Sequence, residues 1–157
     1  MELTWSSIQK KDETEIPILS IITPIYNRID FFEKMIDSIL LQKYKLNGII
    51  ELIVLDDCSK KEISDSILQI LQKKYTSYNK NYDILNKFIF EFYKHKKNNG
   101  EFINTNYGIK YSNGIWKFIL HDDDYVLPNF FETISKYLKK DSKNYGFICF
   151  TYINIKN

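Results

Sequence analysis

The chain has 157 residues, 44% of them hydrophobic, with 22 basic and 20 acidic side chains and a net charge of +2. These values predict one folded domain and exclude a disordered chain. The balanced charge does not support nucleic-acid binding. Arg28 is the sole arginine, although arginine leads in the readout of bases. We therefore expect no nucleic-acid partner.

Cysteine usage and the lack of targeting signals in the sequence point to the cytoplasm. Cys58 and Cys149 have no close spacing, and we interpret them as reduced thiols. Residues 1–15 are polar and lack the apolar run of a signal peptide. No stretch approaches the length of a membrane span. We expect a cytoplasmic protein, with the inner face of the membrane as a second expectation.

Short apolar runs rich in β-branched residues alternate with segments of helical periodicity. The runs predict strands at residues 18–23, 49–55, 88–93, 115–120 and 146–153. Helices are predicted at residues 29–42, after residue 59, at residues 101–112 and after Pro128. Alternation of this kind predicts an α/β fold, with a mostly parallel sheet and helices on both faces.

Local signals refine these elements. Pro24 is expected to end the first strand, and Asn27 or Asp30 to cap the helix after it. Residues 75–87 lack a clean period and are predicted to form a loop. In the third helix Phe102 and Ile109 are expected to face inward. The pair Asn113-Gly114 is expected to end that helix in the left-handed conformation.

Three polar motifs follow predicted strands, namely residues 23–28, 56–59 and 121–124. In an open α/β sheet, ligands bind outside the carboxyl ends of the strands. Neighbouring strand ends bring such motifs to one rim. We therefore predict the ligand site there, and this convergence counts for more than any single motif.

The acidic run Asp122-Asp123-Asp124 is the main candidate for a metal site. Adjacent carboxylates repel one another. Mg²⁺ or Mn²⁺ relieves that repulsion, because both ions favour oxygen ligands. The alternative is a solvated loop at the positive end of the next helix. The position of the run after a buried strand and ahead of Pro128 favours a metal and diphosphate site.

The other candidates each have a structural alternative. Asp57 is a candidate acceptor for a uracil or ribose group, but Asp57 or Ser59 alternatively caps the next helix. Tyr26 is a candidate for stacking on a base, and the alternative is loop packing. Gly100 begins a helix whose backbone N–H groups are candidates for phosphate contacts.

The histidines have two interpretations of their own. His121 is a candidate contact for diphosphate or metal, and alternatively a hydrogen-bonded neighbour of the carboxylates. His95 lies among Lys94, Lys96 and Lys97, and we interpret it as part of a solvated strand end.

Taken in order, the motifs resemble those of the family 2 glycosyltransferases, which have the Rossmann-like GT-A fold. The resemblance consists of Pro-x-Tyr-Asn, Asp-Asp-x-Ser, Asn-x-Gly, Asn-x-Gly-Ile, a glycine before the fourth strand, and an acidic motif ending in proline. In this chain they are residues 24–27, 56–59, 98–100, 106–109, Gly114 and residues 121–128. The order and spacing together are specific, although each piece alone is not.

The resemblance implies roles for the site residues. A nucleotide-sugar site would comprise Pro24, Tyr26, Asn27, Asp57, Gly100 and Asp122. Within it Asp122 would lie at the ribose and diphosphate. Asp123 would bind the metal, Mn²⁺ or Mg²⁺, with Asp124 as an accessory. Two positions differ from the family pattern. His121 stands where many members have the first aspartate of the acidic motif, and Thr105 stands where many members have an arginine before Asn-x-Gly.

The implied activity is metal-dependent, inverting transfer of a sugar from a UDP- or GDP-type donor to a hydroxyl of a glycan, lipid-linked or polysaccharide acceptor. We expect a polar segment at residues 1–16 and a domain at residues 17–157 that is truncated at its C-terminus. Peripheral membrane association through missing segments is a further expectation. We assign no catalytic base, and Asp141 is a poor candidate at the far end of a helix.

Three other functions compete with sugar transfer. A non-catalytic nucleotide-sugar-binding or interaction module is the alternative that the expected truncation motivates. A dinucleotide-binding oxidoreductase ranks far lower, because no Gly-x-Gly-x-x-Gly follows the first strand. A nucleotidyltransferase also uses metal carboxylates, but the chain has no glycine-rich phosphate loop.

Overall fold

The computed structural model describes residues 1–7, 15–44, 46–81 and 88–138. In chain order the elements are β1 (Glu2–Ser6), β2 (Leu19–Ile25), α1 (Phe32–Leu40), β3 (Ile50–Asp56), α2 (Lys61–Asn81), β4 (Phe88–Lys94), α3 (Glu101–Tyr111), β5 (Trp116–Ile119) and α4 (Phe130–Ser135). The strand predicted at residues 146–153, Asp141 and Cys149 lie outside the described residues.

One sheet organises the molecule, with strand order β1-β4-β3-β2-β5. Strands β2 to β5 are parallel to their neighbours, and β1 pairs antiparallel with β4 at the edge. Parallel neighbours need a crossover, and α1, α2 and α3 supply it between successive strands. The predicted α/β fold with a mostly parallel sheet is confirmed.

The two faces of the sheet carry different cores. The larger core contains Ile21, Leu52 and Phe90 from the strands, with Phe32 of α1, Ile67 of α2 and Phe131 of α4. The opposite face has a small buried cluster of Ile22, Ile53 and Leu55, against which α3 packs. Helices therefore lie on both faces, as predicted. Within the described ranges, no helix is long and apolar enough to cross a membrane.

Strand β1 was not predicted from the sequence. It lies in the segment expected to be polar, and among the described strands it pairs with β4 alone. An edge strand buries little, so its hydrophobic pattern is weak. The signal is limited to alternation of Leu3 with Trp5, whose ring packs edge-on against Tyr75 at 6.1 Å between centroids.

Helix α2 is longer than predicted, because it continues to Asn81 through part of the expected loop at residues 75–87. Tertiary packing explains the difference. Tyr75 lies 5.7 Å from the ring of Phe90, and Tyr78 lies 5.2 Å from Phe88. These contacts with β4 stabilise the last turns of the helix, although the segment itself has no regular apolar period.

Pro24 was expected to end the first strand, but this was wrong. Strand β2 continues to Ile25, and Pro24 pairs in register with Leu55 of β3. Proline lacks an N–H group and is tolerated where no partner needs one. On the other side of β2, pairing with β5 ends at Ile22 and Ile119. Backbone polar groups two residues apart in a strand point to the same neighbour, and the carbonyl of Ile22 points toward the β5 side, where it accepts the N–H of Leu120. The nitrogen of Pro24 therefore faces the side where β5 has already ended.

The predicted inward face of α3 was wrong. Phe102 is 85% exposed and Ile109 is 38% exposed, whereas Asn104 and Gly108 are the buried positions. A Cβ on Gly108 would clash with the side chains of Ile22 and Leu55. Close approach of the helix backbone to the sheet therefore decides which side of α3 is buried.

The end of α3 also differs from the expectation. Asn113 and Gly114 are not left-handed, since the described residues of positive φ are Asn27, Gly48, Cys58 and Gly100. The cap residue Ser112 is extended, with φ −71° and ψ 139°. Gly114 is needed because its backbone approaches Ser20 too closely to leave room for a Cβ. At this distance its N–H donates to Ser20 Oγ at 2.7 Å.

Candidate functional site

A cavity of about 340 Å³ opens at the carboxyl ends of the parallel strands. The residues that form it come from the ends of β2 and β3, the start of α3 and the loop after β5. Its wall consists of Pro24, Ile25, Tyr26, Arg28, Asp57, Asn98, Gly100, Glu101, Asn104, His121 and Asp122. All three strand-end motifs therefore contribute to one cavity.

Asp57 is the structural centre of this rim. The residue is only 2% exposed. One carboxylate oxygen accepts the N–H of Asn99 at 2.9 Å, and the other accepts the N–H of Gly100 at 2.8 Å. These charge-assisted bonds attach the turn before α3 to the end of β3. Asp57 therefore does not cap the next helix.

The same bonds change the interpretation of the turn. Gly100 has φ 84° and ψ 158°, a region that is essentially limited to glycine. Because the N–H groups of Asn99 and Gly100 already donate to Asp57, they are not directed at a phosphate. Gly100 contributes to the cavity as backbone that approaches closely without a side chain.

Asn27 joins two of the strand-end motifs. Its N–H donates to Ser59 Oγ at 2.8 Å, and its Oδ1 accepts the N–H of Lys60 at 2.8 Å. It has φ 52°, a conformation that asparagine tolerates better than most residues. The expectation that Asn27 or Asp30 caps α1 was wrong, because Phe31 is the cap residue and no side chain bonds there.

Arg28 connects the first motif to the acidic run. Its Nε and Nη2 donate to the two oxygens of Asp122 at 3.0 and 2.7 Å, and Nη1 donates to Asp123 at 2.9 Å. The bond to Asp122 raises the pKa of Arg28. Burial raises the pKa of Asp122 above its ordinary value, and Arg28 opposes this shift. The guanidinium thus compensates a carboxylate whose side chain is only 5% exposed.

The cavity brings together most of the predicted site residues. Its wall includes Pro24, Tyr26, Asp57, Gly100 and Asp122. Three others are not part of the wall, namely Asn27, Asp123 and Asp124. Asp123 lies beside it through the bond to Arg28, and Asp124 is exposed, with its N–H donating to the carbonyl of His121 at 3.2 Å.

Sequence reasoning did not assign Arg28, Glu101 or Asn104 to the site. Arg28 had a signal, since the only arginine follows a strand-end Tyr-Asn pair. Asn104 had a weaker one, a polar residue four positions before Gly108. Its Nδ2 donates to the carbonyl of Leu55 at 2.8 Å. The Oε1 atom of Glu101 lies 3.8 Å from Nδ1 of His121, a contact that the sequence does not reveal.

The donor set at the acidic run limits the kind of metal site available. Among the described residues, no group of three histidine, cysteine, aspartate or glutamate side chains is placed to hold a metal. Asp123 is 43% exposed and has one oxygen engaged by Arg28. Mg²⁺ is commonly held by one or two carboxylates plus substrate phosphates. The residues fit a cation that a phosphate ligand helps to hold.

His95 was expected in a solvated strand end, but this was wrong, since it is only 4% exposed. Its backbone N–H donates to the backbone carbonyl of Asp56 at 2.9 Å, and its ring packs on Tyr107 with 4.9 Å between centroids. Burial lowers the pKa of His95 below the ordinary 6.5. The folded state therefore takes up a proton less readily than the unfolded chain.

This shift predicts a pH dependence of stability. The contribution of neutral His95 should be fully present above pH 6.5 and should decrease as the pH falls toward the folded-state pKa. Urea unfolding at several pH values between 5 and 7 measures it. The His95→Gln variant should lose this part of the acid decline, whereas His121→Gln, a control at a partly exposed histidine, should retain it. An unchanged slope in His95→Gln would contradict the assignment.

Comparison with solved structures identifies similar folds. S. aureus TarS in complex with UDP-GlcNAc aligns with a TM-score of 0.59 and 21% identity, over 76% of this chain and 30% of that one. The mannosyltransferase PcManGT from Pyrobaculum calidifontis, in complex with GDP-Man and Mn²⁺, aligns with a TM-score of 0.58 and 19% identity, over 83% of this chain and 34% of that one. At these identities the likeness shows the fold, and the expected GT-A fold is confirmed.

Curated relatives are also glycosyltransferases. An uncharacterized glycosyltransferase of Rickettsia typhi is 34% identical over 140 residues, which are 88% of this chain and 38% of that protein. The GalNAc(5)-diNAcBac-PP-undecaprenol beta-1,3-glucosyltransferase of Campylobacter jejuni is 32% identical over 133 residues, which are 85% of this chain and 37% of that protein. The chain thus spans less than two fifths of the length of these relatives.

The family assignment rests on a match over most of the chain. The model of glycosyl transferase family 2 matches residues 20–157. This range begins within β2 and includes all three motifs of the cavity. The chain therefore belongs to glycosyl transferase family 2.

Proposed function

We propose that this chain forms the donor-binding part of a glycosyltransferase that uses a UDP- or GDP-type sugar. The observation that carries the proposal is the cavity itself, where a proline-tyrosine loop, a buried aspartate and an acidic run meet at the carboxyl ends of parallel strands. In an open α/β sheet this is the expected place for a nucleotide. Family membership and solved neighbours in complex with UDP, UDP-GlcNAc or GDP-Man support it.

The residues of the wall suggest how the donor lies. Tyr26 is 46% exposed and offers its ring to a nucleobase, and Pro24 lies in the same wall. Asp57 lies in the same wall, and a donor group of the base or ribose would share one of its oxygens with the N–H groups of Asn99 and Gly100. Asp122 and Arg28 then lie where the diphosphate would be. Asn27 and Gly100 contribute by holding the loops that frame the base.

We propose that Asp123, with Asp124 as an accessory, holds Mn²⁺ or Mg²⁺ together with the diphosphate. Such a cation neutralises the charge that develops on the leaving diphosphate. The donor set fits this role, because a phosphate ligand would supply the oxygens that the exposed carboxylates lack. A solved neighbour that contains both GDP-Man and Mn²⁺ supports the assignment.

The proposed reaction is a displacement with inversion. An acceptor hydroxyl oxygen forms a bond to the anomeric carbon, the bond from that carbon to the diphosphate oxygen breaks, and a base takes the hydroxyl proton. The nucleoside diphosphate leaves with the bonding electrons. We propose a glycan or lipid-linked acceptor and a cytoplasmic location, consistent with an unpaired thiol at Cys58.

Asp123→Ala tests the site directly. We expect wild-type protein to bind UDP or GDP in the presence of Mn²⁺, and the variant to lose at least about tenfold in affinity, roughly 1.4 kcal/mol. Isothermal titration calorimetry with and without EDTA separates the metal-dependent part. The fold should be unaffected, because the Asp123 side chain is 43% exposed.

Asp65→Ala is the matched control. It removes one exposed carboxylate on α2, whose partner is Lys61 in an i,i+4 ion pair, and it should leave nucleotide affinity unchanged. Folded wild-type protein that binds neither UDP nor GDP with Mn²⁺ present would refute the proposed function. Sugar release from a donor by the chain itself would exclude the binding-only alternative.

A further inference from the structure

Arg28 already places a cation on the carboxylates that the proposed metal needs. Its guanidinium donates to both oxygens of Asp122 and to one oxygen of Asp123. The Asp122 side chain is 5% exposed, whereas that of Arg28 is 55% exposed. The buried partner is therefore held by the fold, and the exposed partner is free to move away with little loss of packing.

Two cations at this position compete unless an anion joins them. A divalent ion bound to Asp123 would lie beside a guanidinium that cannot lose its proton, and like charges at such short range repel strongly. A diphosphate changes this balance. Arginine binds phosphate through two parallel hydrogen bonds, as it binds a carboxylate here. Arg28 is itself part of the cavity wall, so a diphosphate in the cavity would be within its reach.

We propose that Arg28 acts as an internal cation of the donor site, competes with the divalent ion for Asp122 and Asp123, and transfers its hydrogen bonds to the donor diphosphate when that binds. This inference rests on the proposed function. Nucleotide and metal then bind with positive coupling. The diphosphate draws Arg28 away from the carboxylates that the metal needs, and the metal on those carboxylates releases Arg28 for the diphosphate. Arg28 is a positioning residue of the donor site, with an effect on metal binding that a merely structural residue would not have.

The test measures binding of Mn²⁺ alone and of UDP in the presence of Mn²⁺. We expect Arg28→Gln to bind Mn²⁺ about tenfold more tightly than wild type without nucleotide. The same variant should bind UDP with Mn²⁺ about tenfold more weakly. Arg28→Lys, which retains the charge but loses the two-pronged geometry, should resemble wild type for Mn²⁺ alone and should be weakened for UDP. Electron paramagnetic resonance of free Mn²⁺ and calorimetry give the two affinities.

Lys34→Gln is the matched control. Lys34 lies over the ring of Tyr125 at 4.5 Å, beside the acidic run, so this variant removes a nearby positive charge without touching Asp122 or Asp123. It should change neither affinity by more than about twofold. Thermal unfolding of each variant verifies that the fold is retained, and Arg28→Lys carries the test if Arg28→Gln does not fold.

The outcomes separate this inference from the proposed function. Opposite changes in the two affinities of Arg28→Gln support the competition. Equal Mn²⁺ affinity in wild type and Arg28→Gln, or no Mn²⁺ binding by either, overturns it even when wild type binds UDP with Mn²⁺. Tighter Mn²⁺ binding by Arg28→Gln without any nucleotide binding by wild type supports the competition for the carboxylates and refutes the proposed donor site.

Discussion

Asp57→Ala should reduce nucleotide affinity at least about 100-fold, which corresponds to about 2.7 kcal/mol. The carboxylate lies in the cavity wall and also holds the turn at residues 98–100 through the N–H groups of Asn99 and Gly100. Its loss removes the proposed contact with the nucleotide and also releases that turn. The free energy of unfolding should fall by about 2 kcal/mol, because hydrogen bonds to a charged group are lost and its N–H partners must find water.

Two further variants separate these contributions. Asp57→Asn retains one acceptor oxygen, so it should recover part of the stability while affinity stays low. Asp65→Ala removes an exposed aspartate whose i,i+4 ion pair with Lys61 is screened by solvent and contributes little to stability. Calorimetry and urea unfolding measure both quantities. Unchanged nucleotide affinity in Asp57→Ala would contradict the central place given to this carboxylate.

The second large effect is on stability, at the opposite end of the sheet. Gly114→Ala should destabilise the fold by about 3 kcal/mol, at the upper end of overpacking costs. A Cβ there would lie 2.6 Å from the backbone nitrogen of Ser20 and 2.9 Å from the carbonyl carbon of Leu19. Backbone atoms inside a sheet cannot move aside. The new atom would also displace Ser20 Oγ, which accepts the N–H of Gly114 and donates to buried Glu51.

Gly108→Ala is the comparison. It also meets atoms at less than 3.0 Å, but these belong to the side chains of Ile22 and Leu55, which can shift more easily than main-chain atoms of the sheet. We expect a loss of about 1 to 2 kcal/mol, measured by urea unfolding at neutral pH. If Gly114→Ala proved no more destabilising than Gly108→Ala, backbone contact would not be the reason for the glycine.

The errors in the sequence-based predictions share one physical origin. Burial in α3 was assigned to the largest apolar residues, but Gly108 lies against the sheet and Phe102 faces solvent. In α2 the last turns have no regular apolar period, and they are stabilised by aromatic contacts with β4. In each case a partner distant in sequence overrides the local pattern, and a local pattern contains no information about that partner.

In the candidate site, too, the sequence predicts the motifs but not the hydrogen bonds that join them. The strand-end motifs were predicted to share a rim, and the cavity includes residues from all three. The bonds from Asp57 to the turn before α3 and from Arg28 to the acidic run join residues at least 42 positions apart. Such bonds depend on strand order and register, which the sequence motifs do not specify.

The sequence by itself determined the class of fold, the parallel strands β2 to β5 and the motifs that identify the family. These follow from local alternation of apolar runs and from residue types at strand ends, which any short window of the chain displays. Only the tertiary structure decided the buried face of α3, the role of Gly114 and the pairing of Arg28 with Asp122 and Asp123. Each of these depends on the distance between chain segments that meet only after folding.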